Sequence, residues 1–437
     1  MKNLLVKIKY KLKSVISVSV IKIGLYSGSP CLAAVGLLLS SSSSDNKVNY
    51  RVLVIGRSIF ADDIKAMLEF SGQIKYLTIH LERWRLIFDY FVNGQERQSL
   101  EERDYHVSPH CLAGRQNYYN FLKKVFPYLK KWLSFQACLT GNILYTAQQE
   151  WAKVCEENNV PFIVLHKEAI VLPEVYQNFL NNYRNCKFFG SKILFYNRQC
   201  QEGFLSLNIE GLAADKTALV GIPRLDFCFA GARLGIKNAK QIVFFSFMPR
   251  FSFRFLISDE NVLAKIDQRG TEFFKWIMEF ARRHDDYEVI IKTKMAEQYF
   301  GHARKILADN FKEEIKNLVI TREADPSQLI KDSAMVIGFN STTLIEALIA
   351  DKMVISPHFE DIVEQEWTFF EGYESLIKYA KNFEELEEAI LNKNRKNGYD
   401  ENIKRNFLEK YVATAEGNAS ARAEKEIIKT INEKQKI

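Results

Sequence analysis

The feature that most limits what this chain can become is an alternation that runs once and then restarts. Short apolar runs of strand length are separated by stretches with helical periodicity. In the first half the runs are Arg51-Val-Leu-Val-Ile55, Lys75-Tyr-Leu-Thr-Ile79, Pro161-Phe-Ile-Val-Leu165, Lys192-Ile-Leu-Phe-Tyr196 and Thr217-Ala-Leu-Val220. Helical patterns cover 62–70, 117–135 and 148–158. In the second half the runs begin at Gln241, Glu288, Leu318, Ala334 and Met353, with helical patterns over 271–284, 296–310, 326–331 and 342–350. Apolar runs divided by helices imply parallel sheets whose faces are covered by crossover helices. Two such blocks predict two Rossmann-like, doubly wound α/β domains facing a cleft. The boundary falls near residues 230–240, where Gly231, Gly235 and Lys237-Asn238 interrupt the pattern. A length of 437 residues suits two domains. Residues 81–110, charged and aromatic, resist placement, and the chain is mostly helical and charged from Phe383 onward. In open α/β sheets ligands bind outside the carboxyl ends of the strands, so the chemistry is sought there.

The net charge of +7 has a local origin. Residues 1–22 hold six lysines (2, 7, 9, 11, 13 and 22) and no acid, leaving the rest of the chain close to neutral. A basic tail before a neutral body points to a membrane surface rather than a nucleic-acid groove. It can equally be read as a solvated tail. The uncharged stretch Ile23–Ser44 contains Ser27, Gly28, Ser29 and Pro30 and ends in five serines. That interruption suits a membrane-peripheral or core-docking element better than a spanning helix or a signal peptide. Seven scattered cysteines without a Cys-x-x-Cys pair argue against a disulfide framework or structural zinc, and fit a reducing cytoplasm.

Four segments carry candidate chemistry. In the first, the strand Ala334–Ile337 runs into Gly338-Phe339-Asn340, then Ser341, Thr342 and Thr343 open a helix that carries Glu346 one turn along. Hydroxyls and free amides at a helix start suit a phosphate, and Glu346 can reach a ribose. The plain alternative is a capping box, Thr343-x-x-Glu346. The second is Lys292-Thr293-Lys294, where a lysine at a strand end can neutralise a phosphate or be an ordinary loop lysine. The third is Leu165-His166-Lys167-Glu168, whose carboxylate can act as general acid or base, or be a charged loop. The fourth is Gly221-Ile-Pro-Arg224-Leu-Asp226, a rigid turn in which Arg224 can bind an anion or pair with Asp226. There is no GxSxG, GxxxxGK[ST], HExxH or intact GxGxxG, the histidines do not cluster, and no metal or other cofactor is called for.

The pattern Gly338 to Ala347, followed by Lys352-Met-Val-Ile355, resembles the nucleotide-binding region of GT-B glycosyltransferases that build bacterial surface carbohydrates. The Gly221–Asp226 turn and Gly417-Asn-Ala-Ser-Ala-Arg422 are similar to segments of the same group. His166-Lys-Glu168 together with Pro-Arg224-x-Asp226 looks most like the retaining β-Kdo transferases that use CMP-Kdo. The resemblance covers roughly residues 140–425 and implies roles. Asp226 would be the nucleophile, and Glu168 would take the acceptor proton, with Arg224 and His166 nearby. Lys292, Lys294, Asn340, Ser341, Thr342, Thr343 and Glu346 would hold the donor. Two carboxylates suit a double displacement with retention, and a helix terminus with a lysine can stabilise the nucleotide leaving group without a metal. Lys292-Thr293-Lys294 departs from the Lys-x-His of the wider group.

These expectations define a basic segment over 1–46, an acceptor and catalytic domain over 47–236, and a nucleotide-sugar domain over 237–437 whose terminal helices pack back on the first. The expected partners are a nucleotide-sugar, a glycan or glycolipid acceptor of lipopolysaccharide or capsule type, and the inner membrane through residues 1–22, with no nucleic acid. The expected location is cytoplasmic, peripheral to that membrane. Competing readings are a CDP-glycerol-type polyol phosphate transferase, a UDP-sugar 2-epimerase and a non-enzymatic GT-B scaffold.

Overall fold

The computed structural model describes residues 2–57, 60–167, 170–232, 238–248, 250, 253–254, 256–363, 368–392 and 399–436, with only the backbone over 2–10 and at 95 and 232. Two sheets form the body. The first contains β1 (Ser42–Ser43), β2 (Tyr50–Gly56), β3 (Ile74–His80), β4 (Ala137–Thr140), β5 (Phe162–His166), β6 (Lys192–Phe195) and β7 (Thr217–Leu219), in the order β1-β3-β2-β4-β5-β6-β7. Every pair is parallel except the edge, where Ser42 lies antiparallel opposite Thr78. Val52, Leu53, Val54 and Ile55 are all buried, as a strand covered by helices on both faces requires.

The second sheet contains β8 (Gln241–Phe245), β9 (Glu288–Lys292), β10 (Leu318–Thr321), β11 (Met335–Ile337), β12 (Met353–Pro357) and β13 (Lys378–Ala380), ordered β10-β9-β8-β11-β12-β13 and wholly parallel. The connections reverse direction between β8 and β11. That reversal opens a crevice at their carboxyl ends, because the loops leaving the two strands turn to opposite faces.

The last helix, Ala419–Gln435, returns to the first domain. Buried Glu424 receives the Tyr76 hydroxyl at 2.8 Å and the Gln73 amide at 2.7 Å. Lys434 pairs with Glu156 at 2.8 Å, and Tyr50 donates to Asn432 at 3.2 Å. The end of the chain thereby closes the domain that the beginning starts.

Residues 2–40 form a helical hairpin, α1 (Lys2–Tyr26) and α2 (Pro30–Ser40). The interruption at 27–30 is the turn: Ser29 accepts from the Leu32 amide, and Pro30 occupies the first helical turn. Small residues let the helices touch backbone to backbone. A Cβ on Gly24 would sit 2.4 Å from the Ala33 nitrogen, and one on Gly36 would sit 2.5 Å from the Ile21 side chain. The stretch is therefore a core-docking element, with Ile21, Leu25, Ala33, Ala34 and Leu37 in the main core. Among the described residues no helix is long and apolar enough to cross a membrane.

Among the elements that escaped the sequence pattern are β4 and a helix in the region 81–110. β4 is four residues long and follows directly on the helix Leu112–Leu133, so its apolar signal merges with the helix. The region 81–110 contains the helix Leu81–Phe91, whose Trp84, Ile87 and Phe88 are buried among aromatic neighbours.

Gly24→Val should destabilise the hairpin by roughly 1–3 kcal/mol, because the added atoms meet backbone that cannot yield. Limited proteolysis should then cut within residues 1–44 faster than in the unsubstituted protein.

Candidate functional site

The crevice between β8 and β11 is a cavity of about 250 Å³, lined by Phe245–Met248 from the end of β8 and the loop after it, by Lys292, Thr293, Lys294 and Tyr299, and by Phe339, Asn340, Ser341 and Thr343 from the loop after β11 and its helix. Each element delivers its group for a local reason. Asn340 takes a left-handed conformation (φ 40°) that turns the chain out of the strand. Ser341, not Thr343, is the N-cap of the helix Thr342–Ile349; its Oγ accepts from the Thr343 amide at 3.3 Å and the Thr343 hydroxyl at 2.8 Å. The capping-box alternative therefore fails in detail. The Lys292 ammonium donates to the carbonyls of Thr293 (2.6 Å) and Arg322 (3.0 Å), and burial lowers its pKa, partly offset by Asp325. The Lys294 ammonium lies 5.3 Å from the centre of the Tyr299 ring.

Two larger spaces join this one between the domains. A cavity of about 670 Å³ shares Pro326 and Thr343 with it and continues past Glu346 to Asp62, Lys65 and Arg224 of the first domain. Another, of about 760 Å³, shares Asn340 and is lined by Ile170, Leu172, Val175, Asn178, Leu256 and Phe369, among others. Six of the seven expected donor residues line these cavities; Thr342 does not.

Glu346 is only partly exposed, and what it faces is the cavity. Its pKa is pushed up to about 7, first by desolvation, then by Asp62, Asp63 and Asp325, with Arg224 opposing. Arg224 sits across the cleft in a charge cluster that sequence reasoning missed. Asp63, fully buried in the first turn of the helix Ala61–Phe70, lies 3.5 Å from the Arg224 guanidinium and 3.8 Å from the Lys167 ammonium, and accepts the Arg224 amide at 3.2 Å. The Arg224 guanidinium lies 5.8 Å from the centre of the Tyr196 ring. Burial raises the Tyr196 pKa well above its ordinary value, and the Asp63 carboxylate adds to that. The available signal was Asp62-Asp63 directly after the first strand, which reads equally as an ordinary acidic helix start.

The first-domain expectations need correction. Asp226 does not face the cleft. It is buried, and its two carboxylate oxygens accept the amides of Ala419 (3.0 Å) and Ser420 (2.8 Å), so it caps the final helix. Arg422 reciprocates, donating to the carbonyls of Val220 (2.9 Å) and Gly417 (2.8 Å). The two similar segments, Gly221–Asp226 and Gly417–Arg422, form one clasp. Arg224 pairs with Asp63, not with Asp226. His166 is fully buried against Tyr183, Phe195 and Phe204, with neither ring nitrogen hydrogen-bonded, and burial pushes its pKa down to about 3. A neutral imidazole sealed among aromatic rings is core rather than a base. Glu168 lies outside the described residues. Among the described residues no group of three His, Cys, Asp or Glu converges as a metal ion requires.

No family profile matches the sequence, and no curated protein matches it. Solved structures do. A putative UDP-N-acetylglucosamine 2-epimerase from Listeria monocytogenes is 12% identical, covering 89% of this chain and 98% of that one, with a TM-score of 0.50. Another UDP-N-acetylglucosamine 2-epimerase is 15% identical over 88% and 96%, also at 0.50. This is the GT-B fold. Trehalose-6-phosphate synthase, at 12% identity over 89% and 99% with a TM-score of 0.44, is a looser likeness. In GT-B terms the crevice at β8 and β11 belongs to the second Rossmann-like domain, and the Asp63–Arg224 cluster faces it from the first.

Asp226→Ala should leave two buried amides bare and cost roughly 1–3 kcal/mol. The expected reading is a lower Tm. For Glu346 the sign follows from a raised acid pKa: the folded state holds the proton more tightly than the unfolded one. Its contribution to stability is present below its ordinary value of 4.5 and is lost as pH rises to about 7. Glu346→Gln should therefore raise Tm at pH 8 and leave it nearly unchanged at pH 4.

Proposed function

We propose that this protein is a nucleotide-sugar-dependent glycosyltransferase, acting in the cleft between its two domains on a glycan or glycolipid acceptor. The observation that carries the reading is the meeting of two kinds of space at Asn340. On one side lies a small crevice with a capped helix N-terminus, two lysines and a nearby carboxyl. On the other lies a larger cavity of mixed polarity, lined by aliphatic and aromatic side chains, asparagine amides and Arg103. The first suits a nucleotide phosphate, because unpaired amides and the helix dipole favour an anion. The second suits another substrate.

In this reading the Ser341 turn and the helix amides hold the phosphate, Lys292 and Lys294 add positive charge, and Glu346 accepts from a ribose hydroxyl. As the phosphate leaves with the bonding electrons, these groups stabilise the developing charge. The finer proposal keeps CMP-Kdo as the donor, on the motif resemblance, with Glu168 taking the acceptor proton. It does not include a covalent adduct on Asp226. Forming one would require that carboxylate to abandon the two amides it holds.

A second reading is a sugar-nucleotide 2-epimerase, favoured by the two structural neighbours with a TM-score of 0.50. It needs no acceptor and leaves the larger cavity without a role.

A thermal-shift series with CMP, CDP, UDP and GDP separates the readings, since a ligand stabilises by RT ln(1 + [L]/Kd). Stabilisation by CMP, reduced in Ser341→Ala and Lys292→Ala, is the expected result. Stabilisation by UDP and not CMP would reject the CMP-Kdo donor. Conversion of UDP-GlcNAc to its 2-epimer without acceptor, followed by NMR, would establish the second reading instead.

A further inference from the structure

We propose that the outer face of α1 seats this protein on an anionic lipid surface. One side of the helix is committed to the fold: Ser17, Ile21 and Leu25 are buried, and the Ser17 hydroxyl donates to the Gly36 carbonyl at 2.8 Å. The opposite side is mostly apolar and bare, with exposed Ser19 in its middle. Leu12 is 60% exposed, Val15 57%, Ile16 44%, Ile23 56% and Tyr26 77%. Positions 12, 15, 16, 23 and 26 recur at the three- and four-residue spacing that puts them on one stripe. The stripe runs about 21 Å at a rise of 1.5 Å per residue. Half of the twelve exposed large apolar side chains among the described residues lie on this hairpin, Leu32 of α2 included. A globular surface scatters such residues singly; several on one helix face mark a contact.

The charge around the stripe identifies the contact. Residues 1–44 contain six lysines and no acid. Lys11, Lys13 and Lys22 are exposed, and Lys13 reaches the Ser41 carbonyl at 3.1 Å. The helix packed beside α1, Leu81–Phe91, brings Glu82 and Asp89, but these face their own partners, Arg85 at 2.8 Å and Arg97 at 3.6 Å. The Arg83 guanidinium donates to the Ser14 hydroxyl and adds a further positive charge. A protein partner would be met by mixed charges. Lysines alone beside aliphatic side chains complement phosphate headgroups above acyl chains. Tyr26 ends the stripe with its ring 5.6 Å from Tyr90, a pair of amphipathic rings suited to the headgroup level. The hairpin lies in the interface and does not cross it.

The inference is independent of what the cleft catalyses. It is tested on the full chain by co-sedimentation with vesicles of phosphatidylcholine, and of phosphatidylcholine and phosphatidylglycerol in equal parts. The protein should pellet with the mixed vesicles and stay in solution with the neutral ones. High salt should release it, since screening shortens from about 10 Å at 0.1 M to about 3 Å at 1 M. Ile16→Glu with Ile23→Glu should abolish pelleting. Lys11→Gln and Lys22→Gln should each weaken it about fivefold. All three variants should keep the unsubstituted Tm, because the altered side chains are exposed. Failure to bind the mixed vesicles, equal binding to both kinds, or variants that bind as well as the parent would overturn the proposal. So would a dimer in gel filtration that Ile16→Glu dissolves in a protein indifferent to vesicles, which would make the stripe a protein interface.

Discussion

The turn from Gly221 to Asp226 is where the architecture is tied together. Gly221 takes a positive φ of 83° and passes so close to the last helix that a Cβ would lie 3.2 Å from that of Ala419. Three residues later Arg224 binds buried Asp63, and two after that Asp226 caps the final helix. One short turn therefore joins the first helix after β2, the end of β7 and the end of the chain. Breaking one member of a buried ion pair costs far more than the pair itself contributes, because the partner is left uncompensated. The same logic applies to a helix terminus whose amides lose their acceptor.

The legible part of the fold was its periodicity. β2, β5, β8, β9, β11 and β12 are apolar on both faces, which only a sheet covered by helices explains, and their spacing gave the helices between them. β4 and β1 were not legible. A four-residue run beside a long amphipathic helix has no period of its own, and a pair of serines becomes a strand only because β3 offers an open edge. The crevice of the second sheet was legible for the same reason as the fold. Ser341 and Glu346 stand at fixed offsets from the end of an apolar strand, and local backbone geometry alone puts them at the crevice.

The first-domain site was misread for a physical reason. An aspartate in a rigid Pro-Arg turn looks the same whether it awaits a substrate or a helix terminus, because both offer it positive charge. What distinguishes them is a partner 193 residues away in the chain. His166 misled in a similar way. Its place at the end of β5 is where a base would stand, but Phe195, Phe204 and Tyr183 close around it. Asp63 was overlooked for the opposite reason. An acid in a first helical turn needs no further explanation until Arg224 and Lys167 are seen beside it.

These placements divide the labour differently from the motif reading. Arg224 is held in its own domain by Asp63, yet it is also the charge that most opposes protonation of Glu346 in the other domain. The same clasp that fixes the C-terminal helix thus fixes the position of the cation facing the cleft. Asp226, buried against the final helix, can influence the electrostatics of the crevice by holding that turn in place. Rigidity at the clasp and charge at the crevice are one constraint, since a guanidinium displaced by a few ångströms would leave Glu346 with the repulsion of Asp62, Asp63 and Asp325 and nothing to offset it.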